Sequence, residues 1–342
     1  MSFSRADFVR LLKRMAAGDH LSAVESANAV GAMMAGEASE IHTSSFLSLL
    51  ALRGPGVGEL TGAARAMRAA MTRVEAPGNA IDVCGTGGDD SGTLNVSTAS
   101  AFVVAACGVP VAKHGNRAMS SHTGAADVLE ALGIPIDNTA EVARACLLNP
   151  GFTFLFAPLY HPAMKHVAAV RKELGFRTIF NLLGPICNPA GVKRQLMGIF
   201  SATWLLPVAE VLRDLGAERA WVVHGNDGLD EMSTTGPTRV AVLDRGEINL
   251  REVSPEDAGL QRATLSALKG GNAEENASAI RALFEGMRNP FRDIVLLNSG
   301  AALVVAGSAR TIADGVSLAA EAIDQGRAAE LLERSRSAGA NR

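Results

Sequence analysis

Cysteine is sparse in this chain and nowhere clustered. Cys84, Cys107, Cys146 and Cys187 are its only four in 342 residues. With no CxxC pair and no histidine at zinc-ligand spacing, they exclude a structural zinc module and fit a reducing, cytoplasmic setting. Aromatic residues are equally few: twelve Phe, two Trp and one Tyr cannot build the stacking platforms that hold single-stranded nucleic acid. Charge of one sign is lacking too. Thirty-two Lys and Arg against 35 Asp and Glu leave a net charge of −3, so there is no global basic field for nucleic acid, and any anionic ligand must be held locally. No uncharged apolar run reaches the roughly 20 residues that span a bilayer, which excludes a membrane partner. The opening MSFSRADFVRLLKRM mixes charged and apolar residues in a way that a secretory signal does not. What the chain does have is apolar side chains, 48% of the total, enough for about two domains at roughly 100–200 residues each.

The first seventy residues read as helices. Phe8, Leu11, Leu12 and Met15 recur at helical spacing. Ser22 and Glu25 make a capping box ahead of an expected face of Val24, Ala27, Gly31 and Met34, with Gly36 as the stop. A third stretch places Phe46, Leu49 and Leu50 together and ends at Gly54-Pro55-Gly56; a fourth carries Leu60, Ala63, Ala64, Met67 and Met71. Four short helices enclose little core, so this block must pack on later segments or on a second subunit.

From residue 80 the pattern becomes short apolar runs, each followed by a Gly-rich turn and a helical stretch, the signature of an α/β fold. Strands are expected at 80–84, 109–113, 152–156, 220–223 and 239–243, with helices at 97–107 and 124–132; the chain closes on a polar tail rich in Ala and Arg.

Four stretches carry chemistry. In DVCGTGGDDSGTLNVST, residues 82–98, glycines at a strand end allow backbone N–H groups to approach an anion, and the helix opened by Asn95, Val96, Ser97 and Thr98 adds free donors. The spacing is neither GxGxxG nor GxxxxGK[ST]; a tight structural turn with a hydroxyl cap is the competing reading. In KHGNRAMSS, residues 113–121, Lys113 and Arg117 offer cationic donors for phosphate while Ser120 and Ser121 offer hydroxyls. Alternatively, Lys113 is a solvated strand end and His114 a satisfied imidazole. In VVHGNDGLDEMS, the adjacent carboxylates Asp230 and Glu231 suit Mg²⁺, which keeps waters and bridges to phosphates; most such pairs are simply solvated. In the fourth stretch His161, Met164, Ala168 and Arg171 step by 3, 4 and 3, so one helical face could hold a flat apolar acid with the guanidinium on its carboxylate. Against that, His161 could only cap a helix and Arg171 only pair with a glutamate, and Lys165, Lys172 and Arg177 read as solvated charges.

GTGGD with NVSTA, KHGNRAMSS, RKELGFRTIFNLLGPICNP and VVHGNDGLDEMS, in this order from about Phe8 to Leu332, resemble the anthranilate phosphoribosyltransferases. The resemblance implies an α/β protein: a small N-terminal helical domain, 1–72, joined by helices from about 161–178, and a larger α/β domain, 73–342, of the nucleoside phosphorylase and phosphoribosyltransferase type with a mostly parallel sheet. It implies transfer of the phosphoribosyl group of 5-phosphoribosyl-1-pyrophosphate to the amine of anthranilate, the second step of tryptophan biosynthesis from chorismate, by a homodimer joined through its helical domain. By the same resemblance, phosphoribosyl pyrophosphate falls to Gly85, Gly88, Asp89, Thr93, Asn95, Val96, Ser97 and Thr98, to Lys113, His114, Gly115, Asn116, Arg117, Ala118, Met119, Ser120 and Ser121, and to Ala125. Anthranilate falls to Gly85, Asn116 and Arg171, with Pro158, His161 and Met164 on its entry path. Mg²⁺, two ions per subunit, falls to Ser97, Asp230 and Glu231. No side chain is implied as a dedicated acid or base.

The chain departs from the family pattern at Asp90, where a glycine is common, and at Ala125, where a serine is usual. A pyrimidine nucleoside phosphorylase would share the architecture and the anion loop, but KHGNR, the acidic pair and NLLGP argue against it. A silent nucleic-acid-binding relative would carry a basic face and lose the acidic pair.

Overall fold

The computed structural model describes residues 3–89, 91–118 and 123–340. Helices α1 (Arg5–Ala16), α2 (Ala23–Met34), α3 (Glu40–Arg53) and α4 (Val57–Ala70) open the chain. Ser4 with Asp7 and Ser22 with Glu25 cap α1 and α2 reciprocally, satisfying N–H groups that have no partner inside a helix. Of the expected face of α2 only Met34 is buried; Ala27 and Gly31 are half-buried, Val24 is 67% exposed, and Ser26, Ala29, Val30 and Met33 complete the buried stripe. Its rotation is set by α4. Ser26 Oγ donates to the Glu59 carbonyl at 2.7 Å, and a Cβ on Gly62 would stand 2.1 Å from the Ala23 carbonyl oxygen.

A seven-stranded sheet follows, in the order β3-β2-β1-β4-β5-β6-β7. Its strands are β1 (Ile81–Gly85), β2 (Val111–Gly115), β3 (Phe152–Phe156), β4 (Arg194–Gly198), β5 (Arg219–Gly225), β6 (Thr238–Asp244) and β7 (Glu247–Val253). The first five are mutually parallel and the last two antiparallel. Between β1 and β2 runs α5 (Val96–Ala106); α6 (Ala125–Ala131) and α7 (Ala140–Leu148) precede β3; α8 (Ala157–Tyr160), α9 (Lys165–Leu174) and α10 (Phe180–Ile186) lead to β4; α11 (Leu205–Asp214) leads to β5; and α12 (Ala273–Phe284), α13 (Pro290–Ala306), α14 (Ile312–Asp324) and α15 (Arg327–Ala340) close the chain. Among the described residues no helix is long and apolar enough to cross a membrane.

Alternation along the strands sorts residues to two faces. Ile81, Val83, Leu196, Trp221 and Val223 join a core with α5 and α12–α15. Met197, Ala220 and Val222 face the other way and share a core with α1–α4, α9, α10 and α11, so the N-terminal helices complete their burial against later segments of the same chain.

Two further expectations are corrected. Strands β4 and β7 were not expected: β4 begins with Arg194-Gln195, whose polarity hides a central strand in which Gln195 is satisfied by the Pro185 carbonyl at 2.7 Å, and β7 is an exposed edge with little apolar pattern. The polar tail rich in Ala and Arg forms α15, in which Ala328, Leu331, Leu332 and Ser335 bury one stripe. Finally, His161, Met164, Ala168 and Arg171 do not share one helix. Pro162 forces His161 out of helical geometry, at φ −121° and ψ 59°, α9 starts only at Lys165, and Ala168 is exposed while Val167 and Val170 are buried.

Candidate active site

Strand β1 lies between β2, reached through α5 on one side, and β4, reached by a long excursion from β3. The loops leaving β1 and β4 therefore diverge, and such a switch point at the carboxyl ends of parallel strands forms a crevice. Gly85 and Gly198 end the two strands in register. The bare backbone there admits Asp230: a Cβ on Gly85 would meet Asp230 Oδ2 at 2.5 Å, and one on Gly198 would meet the Asp230 carbonyl oxygen at 1.5 Å.

The loop after β1 is tied across this crevice. Thr86 N–H donates to the Gly198 carbonyl at 3.0 Å, Thr86 Oγ1 accepts from Phe200 N–H at 3.0 Å, and Gly87 N–H donates to Asp230 Oδ2 at 2.7 Å. Gly87 and Gly88 have φ of +64° and +75°, a conformation open to glycine at little cost. Glu231 accepts from Ser97 N–H at 3.1 Å, which places the acidic pair between the Gly loop and the start of α5. Burial first, then Asp89 beside Asp230 and Asp230 beside Glu231, push both carboxyls up from their ordinary values.

Lys113 is not at a solvated strand end. It is 2% exposed, and its Nζ donates to the Val83 carbonyl at 2.7 Å and to Ser97 Oγ at 3.2 Å. Burial lowers its pKa, opposed by Asp82, Glu231 and Asp230 among its neighbours. Beneath it Asp82 is fully buried, accepting from Asn188 Nδ2 at 2.7 Å and His114 N–H at 3.2 Å; burial raises its carboxyl to about 6.

This donor set fits a divalent cation. Two like-charged buried carboxylates and a hydroxyl share one spot with the buried Lys113 ammonium, and a dication would relieve their repulsion. No group of three or more His, Cys, Asp or Glu among the described residues could hold a metal alone, which suits an ion that completes its shell with water and ligand phosphates.

The other named residues are distributed unevenly. Val96 and Thr98 turn into the core, 2% and 0% exposed, so only their backbone can face a ligand. Asn95 Oδ1 accepts from Asn276 Nδ2 at 2.9 Å, and Asn276 Oδ1 accepts from Gly271 N–H at 2.8 Å. Thr93 pairs as an isolated bridge with Lys269, and the Lys269 ammonium donates to the Ser91 carbonyl. Arg117 is committed to Asp127 at 2.9 Å and Glu130 at 2.6 Å. Asn116 and Ala118 lie on the start of α6, where a Cβ on Gly124 would meet Ala118 N at 2.2 Å, and a Cβ on the strand-ending Gly115 would stand 3.4 Å from Ala125 Cβ. Met119, Ser120, Ser121 and the departure at Asp90 lie outside the described residues.

His161 makes no helix-capping side-chain bond. Its ring stands 5.1 Å from that of His114, and burial lowers His161 to about 4 and His114 to about 3, so both are neutral imidazoles. This contact brings the expected acid-binding segment against β2. Met164 is half-buried at the helical core, Pro158 is exposed, and half-buried Arg171 sits 5.2 Å from the Phe180 ring centroid. Arg177, read from sequence as solvated, donates to the Gly88 carbonyl and stacks 4.6 Å from the Phe200 ring, so the α9–α10 connection reaches the Gly loop. Gly198, Asn276 and Asn298 also shape the crevice without any sequence signal. Their partners are distant in the chain and no local spacing marks them.

Residues 9–71 match a family model described as "Glycosyl transferase family, helical bundle domain", and residues 77–329 match "Glycosyl transferase family, a/b domain". An anthranilate phosphoribosyltransferase of Rhodopseudomonas palustris (strain HaA2) is 55% identical, over 96% of this chain and 97% of its own. The crystal structure of the anthranilate phosphoribosyltransferase of Thermus thermophilus superposes with a TM-score of 0.91 at 45% identity, covering 96% of this chain and 98% of that one. The Saccharomyces cerevisiae enzyme, solved in complex with phosphoribosyl pyrophosphate and Mg, gives 0.91 at 26% identity over the whole of both chains.

Proposed function

The chain belongs to the anthranilate phosphoribosyltransferase family, and on that premise we propose how its crevice divides the work of joining anthranilate to 5-phosphoribosyl-1-pyrophosphate. The reaction displaces pyrophosphate from the anomeric carbon of the ribose by the anthranilate amine. An aromatic amine is unprotonated at neutral pH, so no side chain need act as a base. The barrier lies in the departing charge and in positioning.

Asp230, Glu231 and Ser97 would hold Mg²⁺, two ions per subunit. When bound, the metal supplies positive charge to the leaving pyrophosphate. The N–H groups of the Gly loop and of the α5 N-terminus that are not already given to Gly198, Asp230 and Glu231 would donate to phosphate oxygens, with Lys113 as the buried cation beneath them. Asn116 and Arg171 orient the acid so that its nitrogen faces the reacting carbon, an effect that is worth several kcal/mol in favourable cases. His114 and His161, kept neutral by burial, line the acid's entry with Met164 and Pro158 without competing for its carboxylate as cations. The placement of Asp230 against Gly85 and Gly198 supports this reading most, because the acidic pair then sits where the two loops diverge.

We further propose a cytoplasmic homodimer joined through the helical domain; the exposed apolar side chains Val9, Val24, Ile41 and Leu52 of α1–α3 support it.

The test is the loss of anthranilate fluorescence on adding phosphoribosyl pyrophosphate, with and without Mg²⁺. A Mg²⁺-dependent loss that disappears in an Asp230→Ala, Glu231→Ala double variant bears the assignment out. Full activity in that variant would overturn the metal site, and a donor that raises the Tm without any fluorescence loss would mean another acceptor.

A further inference from the structure

Asn298 lies in the middle of α13, far from the crevice in sequence and with no ligand-facing surface, being 0% exposed. Its amide is nevertheless spent on one residue of the metal-binding loop. Oδ1 accepts from Met232 N–H at 3.0 Å, and Nδ2 donates to the Met232 carbonyl at 2.8 Å. The remaining Nδ2 hydrogen goes to the Ile294 carbonyl, one turn back on its own helix, at 2.8 Å, which locks the side chain's orientation. Met232 directly follows Glu231, and its side chain is fully buried in the core beside α13. On the other side of the acidic pair, Asp227 receives Leu229 N–H at 3.1 Å and the hydroxyls of Ser233 and Thr235.

We propose that Asn298 is a positioning residue for the metal: its two-point clamp on the Met232 backbone holds Asp230 and Glu231 together in a binding arrangement that their mutual repulsion would otherwise open. A side-chain amide that matches both the donor and the acceptor of one residue's backbone fixes its rotation as a strand neighbour would, and among the described residues no strand pairs there to do it. Two adjacent buried carboxylates repel when ionised, so a loop that must present both needs an anchor independent of the ion. The α13 scaffold supplies it, because α13 packs on β1, β4 and β5, which carry the rest of the crevice. The inference rests on Asp230 and Glu231 being the metal ligands.

The experiment measures Mn²⁺ binding by electron paramagnetic resonance with phosphoribosyl pyrophosphate present and anthranilate absent, in the wild type, Asn298→Ala and Glu231→Gln, together with the anthranilate KM and amide exchange at Met232. For Asn298→Ala the expected result is a dissociation constant for Mn²⁺ raised about 10-fold or more, as for lost supports of metal ligands elsewhere, faster exchange at Met232 and an unchanged anthranilate KM. Unchanged Mn²⁺ binding in Asn298→Ala, with weakened binding in Glu231→Gln, overturns the clamp alone. Unchanged binding in Glu231→Gln overturns the metal assignment beneath it. If Asn298→Ala does not fold, Asn298→Ser, which keeps a smaller polar group, is read by the same criteria.

Discussion

A Cβ on Gly198 would stand 1.5 Å from the backbone carbonyl oxygen of Asp230. Gly198 ends β4 and Asp230 belongs to the loop after β5, so the loop carrying the acidic pair is seated directly on the end of a neighbouring strand. The overlap involves backbone on both sides and cannot be relieved by turning a side chain. Gly198→Ala must displace either β4 or Asp230. Overpacking of this kind costs about 1–3 kcal/mol, and the expected outcome is a Tm lowered by several degrees with the Mg²⁺ needed for half-maximal activity raised. Wild-type Mg²⁺ dependence in the alanine variant would show that the acidic pair does not depend on this seat.

Arg171 has the Phe180 ring beside it and a pKa lowered by burial, a guanidinium with little competing for it but an incoming carboxylate. Arg171→Ala is expected to raise the anthranilate KM more than it lowers kcat, because an anchoring contact is made equally in ground and transition states. Steady-state kinetics with phosphoribosyl pyrophosphate saturating checks this; a fall in kcat at constant KM contradicts it.

Asn276 is 1% exposed and bonds both Asn95 and the Gly271 backbone, holding the residue that opens α5 to the segment before α12. Asn276→Ala leaves these groups short of a partner at a cost of about 1–3 kcal/mol. The expected result is a several-fold rise in the KM for phosphoribosyl pyrophosphate, with the anthranilate KM near wild type. Equal changes in both would mean a general loosening of the crevice.

The buried imidazoles give a pH prediction. His161 is lowered to about 4 and His114 to about 3, against an unfolded value near about 6.5. Below about 6.5 the unfolded chain binds protons that the folded one refuses, so this stability is present above that pH and is lost as pH falls toward 4 and then 3. Buried carboxyls such as Asp82 are raised and work in the opposite sense, so the comparison must be made between variants. Between about pH 7 and about pH 4.5 the Tm of a His161→Gln variant should fall less than that of the wild type; parallel profiles by calorimetry would show that His161 titrates normally in the fold.

The N-terminal helices, the α/β alternation and the glycine turns at the strand ends were legible because each is written in local spacing: apolar side chains every three or four residues, glycines at a strand end, a serine three before a glutamate. The acidic pair was legible only as a pair. Its seat on Gly198, its hold by Asn298 and the contact of His161 with His114 join residues far apart in the chain, and no local pattern records a long-range contact. Sequence also misled where local signals were outvoted. The step of 3, 4 and 3 from His161 to Arg171 was helical, but Pro162 interrupts it, and the face of α2 was turned by the close approach of α4 at Gly62. The sequence by itself determined the four N-terminal helices, five of the seven strands and which residue types stand at the strand ends, since these follow from periodicity, capping and backbone freedom. Only the tertiary structure decided that Asp230, Glu231, Ser97 and Lys113 meet at one point, because that depends on strand order and on how close one backbone can come to another.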